Sequence, residues 1–176
     1  TLKTIADVGL VGFPNAGKST LLNVLSNATP KVDSYPFTTL FPSVGIIEYP
    51  EEFDRITMAD VPGLIEGAAE NRGLGHRFLR HVERCLLLLI LIDLAATDGR
   101  DPLEDFALLR SELEQYDPAV AAKPFFVAGN KIDEPAAAEH LERFRKAHPD
   151  LTVYPISAIL EEGLPELKAD LLEHLR

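Results

Sequence analysis

A glycine-rich octapeptide near the amino end constrains the fold more than any other feature of this sequence. Residues 12–19 read Gly-Phe-Pro-Asn-Ala-Gly-Lys-Ser and match the pattern G-x-x-x-x-G-K-S. An apolar strand-like run, Ile5–Val11, precedes the motif, and a helical pattern, Lys18–Ser26, follows it. This strand–loop–helix context distinguishes a phosphate-binding loop from a chance glycine turn. It predicts an α/β fold in which a buried strand leads directly into a covering helix.

The rest of the chain continues this alternation of strand and helix. We expect strands at Ile5–Val11, Val44–Tyr49, Ile56–Ala59, Leu86–Ile92, Phe125–Ala128 and Thr152–Pro155, and helices at Lys18–Ser26, Leu74–Cys85, Pro102–Tyr116, Pro135–Ala147 and Leu164–Leu171. Short apolar strands separated by helices are typical of a mostly parallel sheet covered on both faces. Only the link Pro50–Asp54 joins the second and third strands, which indicates a hairpin and one antiparallel edge strand. The sequence therefore predicts a six-stranded, three-layer sandwich forming one domain, residues 1–176.

Composition restricts the partners of this domain. Seventeen basic and 28 acidic residues give a net charge of -11, which repels nucleic acid over long range. No apolar run is long enough to span a bilayer, and the first residues lack the pattern of a signal peptide. The single cysteine, Cys85, excludes an internal disulfide. We expect a cytoplasmic monomer that binds neither nucleic acid nor membrane directly.

The octapeptide supplies the groups that a nucleoside triphosphate requires. Its glycines allow backbone N–H groups to surround the β-phosphate, Lys18 can bridge the β- and γ-phosphates, and the Ser19 hydroxyl can bind Mg²⁺. The expected nucleotide contacts in this segment are Gly12, Phe13, Pro14, Asn15, Ala16, Gly17, Lys18, Ser19 and Thr20. The motif alone specifies neither the base nor hydrolysis.

A second motif, Asn130-Lys131-Ile132-Asp133, follows a predicted strand and specifies the base. The Asp133 carboxylate can accept from the two adjacent donors of guanine, whereas adenine would leave it unpaired. Asn130 can meet the outer edge of the base, and the Lys131 stem can lie over its face. Ser157-Ala158 follows the last strand, where a backbone amide can close over guanine.

A third motif, Asp60-Val61-Pro62-Gly63, closes the predicted third strand. The Asp60 carboxylate can hold a water bound to Mg²⁺, and the Gly63 N–H can bond the γ-phosphate. On its own this motif would be an ordinary turn. Its position between the other two motifs favours a role in nucleotide binding.

The stretch Tyr-Pro-Phe-Thr-Thr-Leu at residues 35–40 lies between the first helix and the hairpin. One of its threonines should reach Mg²⁺ with the hydroxyl and the γ-phosphate with the N–H, which would order this segment only when triphosphate is bound. Spacing alone does not separate Thr38 from Thr39. Phe37 is the third expected contact of this stretch.

Together these motifs give the chain a resemblance to the Obg family of GTPases, within the Ras-like P-loop superfamily. The similar segments are residues 12–20, 35–40, 60–68 and 73–84. The resemblance implies Mg²⁺-dependent binding and slow hydrolysis of GTP, and a link to assembly of the large ribosomal subunit through domains outside this chain. It places Thr39 at the magnesium ion and extends the guanine loop through Ile159. It implies catalytic roles for Lys18, Thr39, Gly63 and Asn15.

One position departs from Ras-type enzymes. Leu64 stands where a glutamine usually orients the attacking water, and an apolar side chain cannot do so. In GTPases that share this replacement, a P-loop asparagine, here Asn15, can help to hold K⁺. Three alternatives remain open: a nucleotide-occupied module with negligible hydrolysis, an ATP-using relative, and a P-loop kinase. Asp133 argues against the last two.

Overall fold

The computed structural model describes residues 4–27, 29–32, 42–60 and 82–176. The strands are β1 (Ala6–Val11), β2 (Lys31–Val32), β3 (Ser43–Tyr49), β4 (Asp54–Asp60), β5 (Cys85–Asp93), β6 (Phe125–Asn130) and β7 (Val153–Pro155). The helices are α1 (Lys18–Leu25), α2 (Pro102–Tyr116), α3 (Pro118–Ala121), α4 (Ala137–Ala147) and α5 (Leu164–Leu175). Short 3-10 turns lie at Pro14–Ala16 and Pro50–Glu52.

The strands form one sheet in the order β2-β3-β4-β1-β5-β6-β7. Strand β1 pairs in parallel with β4 and β5, and β6 pairs in parallel with β5 and β7. Strand β3 is antiparallel to both of its neighbours, β2 and β4. The predicted fold class is therefore confirmed. The two-residue β2 adds to the six predicted strands and lies outside β3, so β3 is not the outermost strand of the described sheet.

Apolar side chains cover both faces of the sheet, which explains the unalternating strands. On one face, Leu88 and Ile90 of β5 belong to a core that includes Phe106 of α2 and Phe144 of α4. On the other face, the core combines the intervening residues of β5 with leucines of α1 and α5, such as Leu21 and Leu167. Since both faces of β5 are buried, no polar period appears in its sequence.

Boundaries account for most differences from the predicted elements. The predicted helix Leu74–Cys85 lies mostly outside the described residues, and its last residue is wrong. The chain turns at Glu83 and Arg84, and Cys85 already begins β5, where it pairs with Ala6. A buried apolar residue at a helix–strand junction fits the apolar pattern of a helix as well as that of a strand. The sequence pattern therefore does not show whether Cys85 ends the helix or begins the strand. None of the helices in the described part of the chain combines the length and apolar character needed to cross a bilayer.

The β3–β4 hairpin is fastened to the carboxyl-terminal helix by polar contacts. The Tyr49 hydroxyl donates to the Lys168 carbonyl at 2.8 Å. Arg176 donates to both carboxylate oxygens of Asp54, at 2.7 Å from Nε and 2.9 Å from Nη2. These contacts fix the hairpin that joins the predicted Thr38/Thr39 segment to the Asp60 motif.

The parallel strands bring the predicted motifs to one edge of the sheet. Strands β1, β4, β5, β6 and β7 all point the same way, so their carboxyl ends lie at the same edge of the sheet. In open α/β sheets, ligands bind at this carboxyl edge.

Candidate nucleotide-binding site

The phosphate-binding loop is built to leave the amino end of α1 uncovered. Gly17 has a φ of 99°, a left-handed conformation that favours glycine. It stands at the N-cap position of α1, where it has no side chain to cap the first N–H groups. The first turn of a helix lacks intrahelical partners for its donors and carries a partial positive charge. The loop therefore presents donors that suit a phosphate group.

Two glycines of this loop cannot carry a side chain. A Cβ on Gly12 would lie 2.8 Å from the Leu91 carbonyl oxygen of β5. A Cβ on Gly17 would collide with Nδ2 of Asn130. Glycine is therefore required by the close approach of the loop to β5 and β6, as well as by the turn itself.

Three of the predicted site residues, Lys18, Ser19 and Asp60, come together beneath this loop. Lys18 is 6% exposed, and its Nζ lies 3.2 Å from Asp60 Oδ1. The Ser19 hydroxyl donates to Asp60 Oδ2 at 3.2 Å. Asp60 Oδ1 is buried, and no donor in the described part of the chain is aligned to hydrogen-bond it.

This group fits a magnesium ion that also contacts phosphates. Mg²⁺ in nucleotide sites takes one or two protein oxygens and completes its shell with phosphate oxygens and water. The Ser19 hydroxyl and the Asp60 carboxylate, which lie within hydrogen-bonding distance of each other, are suitable partners. No cluster of three or more acidic, histidine or cysteine ligands occurs among the described residues, so a cage made only of such side chains is not found there.

Asn130 connects the phosphate loop to the loop after β7. Its side chain is buried, its Nδ2 donates to the Ala16 carbonyl at 2.8 Å, and its Oδ1 accepts from the Ala158 N–H at 3.0 Å. The sequence predicts that Asn130 meets the edge of the base. In the structure, the Asn130 side-chain oxygen accepts from Ala158 and one Nδ2 hydrogen is donated to Ala16, which leaves the second Nδ2 hydrogen for a ligand.

Lys131 is fixed in a conformation that lays its stem across the site. Its φ is 72°, which is unusual for a residue other than glycine. Its Nζ donates to the Asn15 carbonyl at 2.8 Å, to Thr97 Oγ1 at 2.8 Å and to Asp93 Oδ2 at 3.1 Å. Because the ammonium is held at its far end, the aliphatic stem is left available to a flat ring.

Asp93 and Thr97 are candidate site residues that the sequence motifs did not include. Asp93 ends β5 and accepts from the N–H groups of Ala95 at 2.9 Å and Thr97 at 3.1 Å, besides binding Lys131. The available signal was an aspartate directly after the longest apolar run of the chain. Its position at the carboxyl edge of the sheet and its ion pair with Lys131 make it a candidate site residue.

The remaining residues predicted to contact the guanine base lie around one cavity. Ser157 is buried, and its Oγ accepts from the Leu160 N–H at 3.1 Å, which shapes the turn. The Ile132 N–H donates to the Ile156 carbonyl at 3.1 Å, and Asp133 is exposed. The cavity has a volume of about 280 Å³ and is lined by Pro14, Asn15, Gly17, Thr20, Asn130, Lys131, Asp133, Ser157 and Ile159.

The other predicted residues have different positions. Phe13 is buried in the core next to Arg100, whose guanidinium lies 3.7 Å from the ring centroid. The Asn15 side chain is exposed and contacts Asp98. The following predicted residues lie outside the described part of the chain: Phe37, Thr38, Thr39, Val61, Pro62, Gly63 and Leu64.

Known proteins resemble this chain in sequence and in fold. The family described as 50S ribosome-binding GTPase matches residues 7–131. GTPase Obg of Opitutus terrae is 58% identical over 177 residues, which cover 99% of this chain and 51% of the relative. The chain thus spans about half the length of that curated relative.

Two solved structures have a similar fold. A single-site variant of Aquifex aeolicus Era bound to GDP·AlF4⁻ superposes with a TM-score of 0.70 at 31% identity, covering 99% of this chain and 58% of that one. The G domain of the T. maritima FeoB iron transporter superposes with a TM-score of 0.70 at 24% identity, covering 96% of this chain and 98% of that one. The second likeness supports the fold alone.

Proposed function

Because the chain belongs to the 50S ribosome-binding GTPase family, and within it to the Obg GTPases, we propose that residues 1–176 form a G domain that works as a nucleotide-controlled switch. Family membership makes the chain a GTPase. The proposal is that it binds GTP with Mg²⁺ and hydrolyses it slowly to GDP and phosphate. One observation carries it: a single cavity is lined by both the phosphate loop and the Asn130–Asp133 motif.

Guanine is the base that fits the exposed carboxylate at this cavity. Asp133 lines the cavity, and we assign it to the N1–H and N2–H₂ donors of guanine. An adenine base would present an acceptor to the carboxylate and leave it unpaired, at a cost of a few kcal/mol. Lys131 adds an apolar surface for the ring, and the Ala158 loop closes the far side.

The phosphates are assigned to the amino end of α1. Lys18 already lies inside the loop with its charge balanced by Asp60, so a bound triphosphate would share this ammonium. Ser19, Asp60 and Thr39 are the residues that would hold Mg²⁺. When bound, the ion neutralises charge on the β- and γ-phosphates. Thr39 and Gly63 would each donate an N–H to the γ-phosphate, which couples their segments to the state of the nucleotide.

Hydrolysis proceeds here without a glutamine to orient water. Leu64 cannot form that hydrogen bond, so Lys18, backbone N–H groups and Mg²⁺ must stabilise the charge of the transition state. We propose that Asn15 adds to them by holding K⁺ beside the phosphates. Asn15 supports this role because it lines the cavity with an exposed side chain.

Guanine selection is tested by exchanging the carboxylate of Asp133 for an amide. Calorimetric titration of Asp133→Asn should give greatly weakened GDP binding and new binding of xanthosine diphosphate, because the amide reverses one donor–acceptor pairing. Asp150→Asn, an exposed aspartate in the loop before β7, is the matched control and should bind GDP as the wild type does. Equal affinity of the wild type for ADP and GDP would refute guanine selection.

Catalysis is tested by phosphate release in KCl and in NaCl at equal ionic strength. We expect faster turnover in KCl, with most of the difference lost in Asn15→Ala, because Na⁺ is too small for a site sized for K⁺. Leu64→Gln should bring little gain. Equal rates in both salts would remove the cation from the proposal, and no release in either salt would favour a nucleotide-occupied binding module.

We further propose that the switch acts on the large ribosomal subunit in the cytoplasm. The description of the matching family, a 50S ribosome-binding GTPase, supports this partner. The net charge of -11 makes direct contact of this domain with RNA unfavourable, so regions outside residues 1–176 would supply most of the ribosome contacts. Co-sedimentation of the full-length protein with large subunits should depend on whether GDP or a GTP analogue is bound. Sedimentation of the isolated domain alone at the same level would refute this division of roles.

A further inference from the structure

The loop between β5 and α2, residues 94–101, contacts the phosphate loop at several points. Both carboxylate oxygens of Asp98 accept from Asn15 Nδ2, each at 2.7 Å. The Arg100 guanidinium lies over the Phe13 ring at 3.7 Å. Thr97 shares Lys131 Nζ with the Asn15 carbonyl. The Asn15 side chain is thus held directly by Asp98 of this loop, whereas its backbone carbonyl is linked to the loop only through Lys131.

The contact with Asp98 decides which end of the Asn15 amide faces the site. An ionised carboxylate can only accept hydrogen bonds, so the amide nitrogen must face it. The amide oxygen then points away from Asp98. Asn15 is exposed, so its side chain could exchange rotamers if the contact with Asp98 were removed.

The β5–α2 loop is itself anchored independently of Asn15. Asp93 accepts from the Ala95 and Thr97 N–H groups, and the Gly99 N–H donates to the Ala96 carbonyl at 2.8 Å. Beyond Asp98, Arg100 forms an ion pair with Asp105 at 3.1 Å. Asp98 is therefore presented from a loop that is fixed on both sides.

We infer that Asp98 is a positioning residue for GTP hydrolysis. Its carboxylate holds the Asn15 amide nitrogen and thereby keeps Asn15 Oδ1 directed away from the β5–α2 loop, available as a ligand during the reaction. This inference rests on the catalytic role proposed for Asn15. It assigns to Asp98 no contact with the nucleotide.

A double-mutant cycle on GTP turnover tests the inference. Asn15→Ala should slow turnover on the order of tenfold to a thousandfold, as expected for one lost contact to transition-state charge. Asp98→Ala should lower kcat by about tenfold through misplacement of Asn15, with KM for GTP and affinity for GDP near wild type. In the Asn15→Ala background, Asp98→Ala should cause no further loss. Asp98→Glu should recover part of the rate, and Asp150→Ala should have no effect.

A second measurement follows the contact itself. The Asn15 side-chain amide signal, identified by its loss in Asn15→Ala, should move toward the position of a solvated amide in Asp98→Ala. An unmoved signal would overturn the inference, as would additive rate losses in the cycle. Asn15→Ala turning over at the wild-type rate would refute the role of Asn15 and the inference with it. If Asn15→Ala were slow but Asp98→Ala turned over at the wild-type rate, only the positioning role of Asp98 would be refuted, and the proposed role of Asn15 would stand.

Discussion

Replacing Asn130 with alanine should cost more stability than an ordinary surface asparagine, because both ends of this side chain satisfy buried backbone groups. Its removal leaves the Ala16 carbonyl and the Ala158 N–H without their partners. A buried polar group left unpaired costs about 1–3 kcal/mol. Two such groups, with partial relaxation of the loops, give an expected loss of about 2–4 kcal/mol in the free energy of unfolding. Native domains typically have a free energy of unfolding of about 5–15 kcal/mol, so the variant should still fold.

Urea denaturation of wild type, Asn130→Ala and Asn27→Ala measures this loss against a matched control. Asn27 accepts from the Glu48 N–H at 3.2 Å, but this hydrogen bond is exposed, so its removal should cost less than about 1 kcal/mol. Asn130→Asp keeps an acceptor for Ala158 but places a second acceptor against Ala16, so it should be no better than alanine. If Asn130→Ala lost no more than Asn27→Ala, the two-loop connection would not carry the stability assigned to it.

Three further predictions concern other parts of the structure. Lys18→Ala should retain its circular dichroism spectrum but lose GTP turnover by at least about a hundredfold, and a wild-type rate would contradict its assignment. The hydrogen bonds from Arg176 lower the pKa of Asp54 to about 2, so its contribution to stability is present above about pH 4 and is lost as the pH falls from about 4 to 2. The difference in urea midpoint between wild type and Asp54→Asn should therefore shrink over this range, and a constant difference would contradict the ion pair. Burial raises the pKa of Cys85 to about 12, so its thiol should resist Ellman's reagent at about pH 8 until the protein unfolds. For the same reason, the contribution of the buried neutral thiol to the free energy of unfolding should be lost as the pH rises from about 9 to 12.

The parts of the site that depend on local backbone shape could be predicted from sequence. The phosphate loop requires glycine at fixed positions between a strand and a helix, and these positions lie within one short sequence motif. The same holds for α2, whose predicted bounds match the structure because Asp101 caps its amino end and Pro102 begins it. The sequence also assigned Lys18 and Asp60 to one nucleotide site, but it did not predict the ion pair between them.

The contacts between loops could not be predicted, because they join residues far apart in sequence. Asn130 and Ala16 are 114 positions apart, and a motif that suggests a base contact does not reveal a backbone partner in another loop. Asp93 and Thr97 belong to no motif, and their role depends on where Lys131 Nζ lies. Strand β2 has two residues, too few to show a period.

The fixed lysine of the base loop has a consequence for the entropy of binding. A lysine side chain loses up to about 1.5–2 kcal/mol of rotamer freedom when it is immobilised. Three acceptors already immobilise the Lys131 ammonium in the protein, so this loss falls on folding and not on capture of the nucleotide. An aromatic ring that settles on the Lys131 stem meets a surface whose shape is set in advance. The same three contacts therefore favour affinity for any flat base, and selection among bases is left to Asp133.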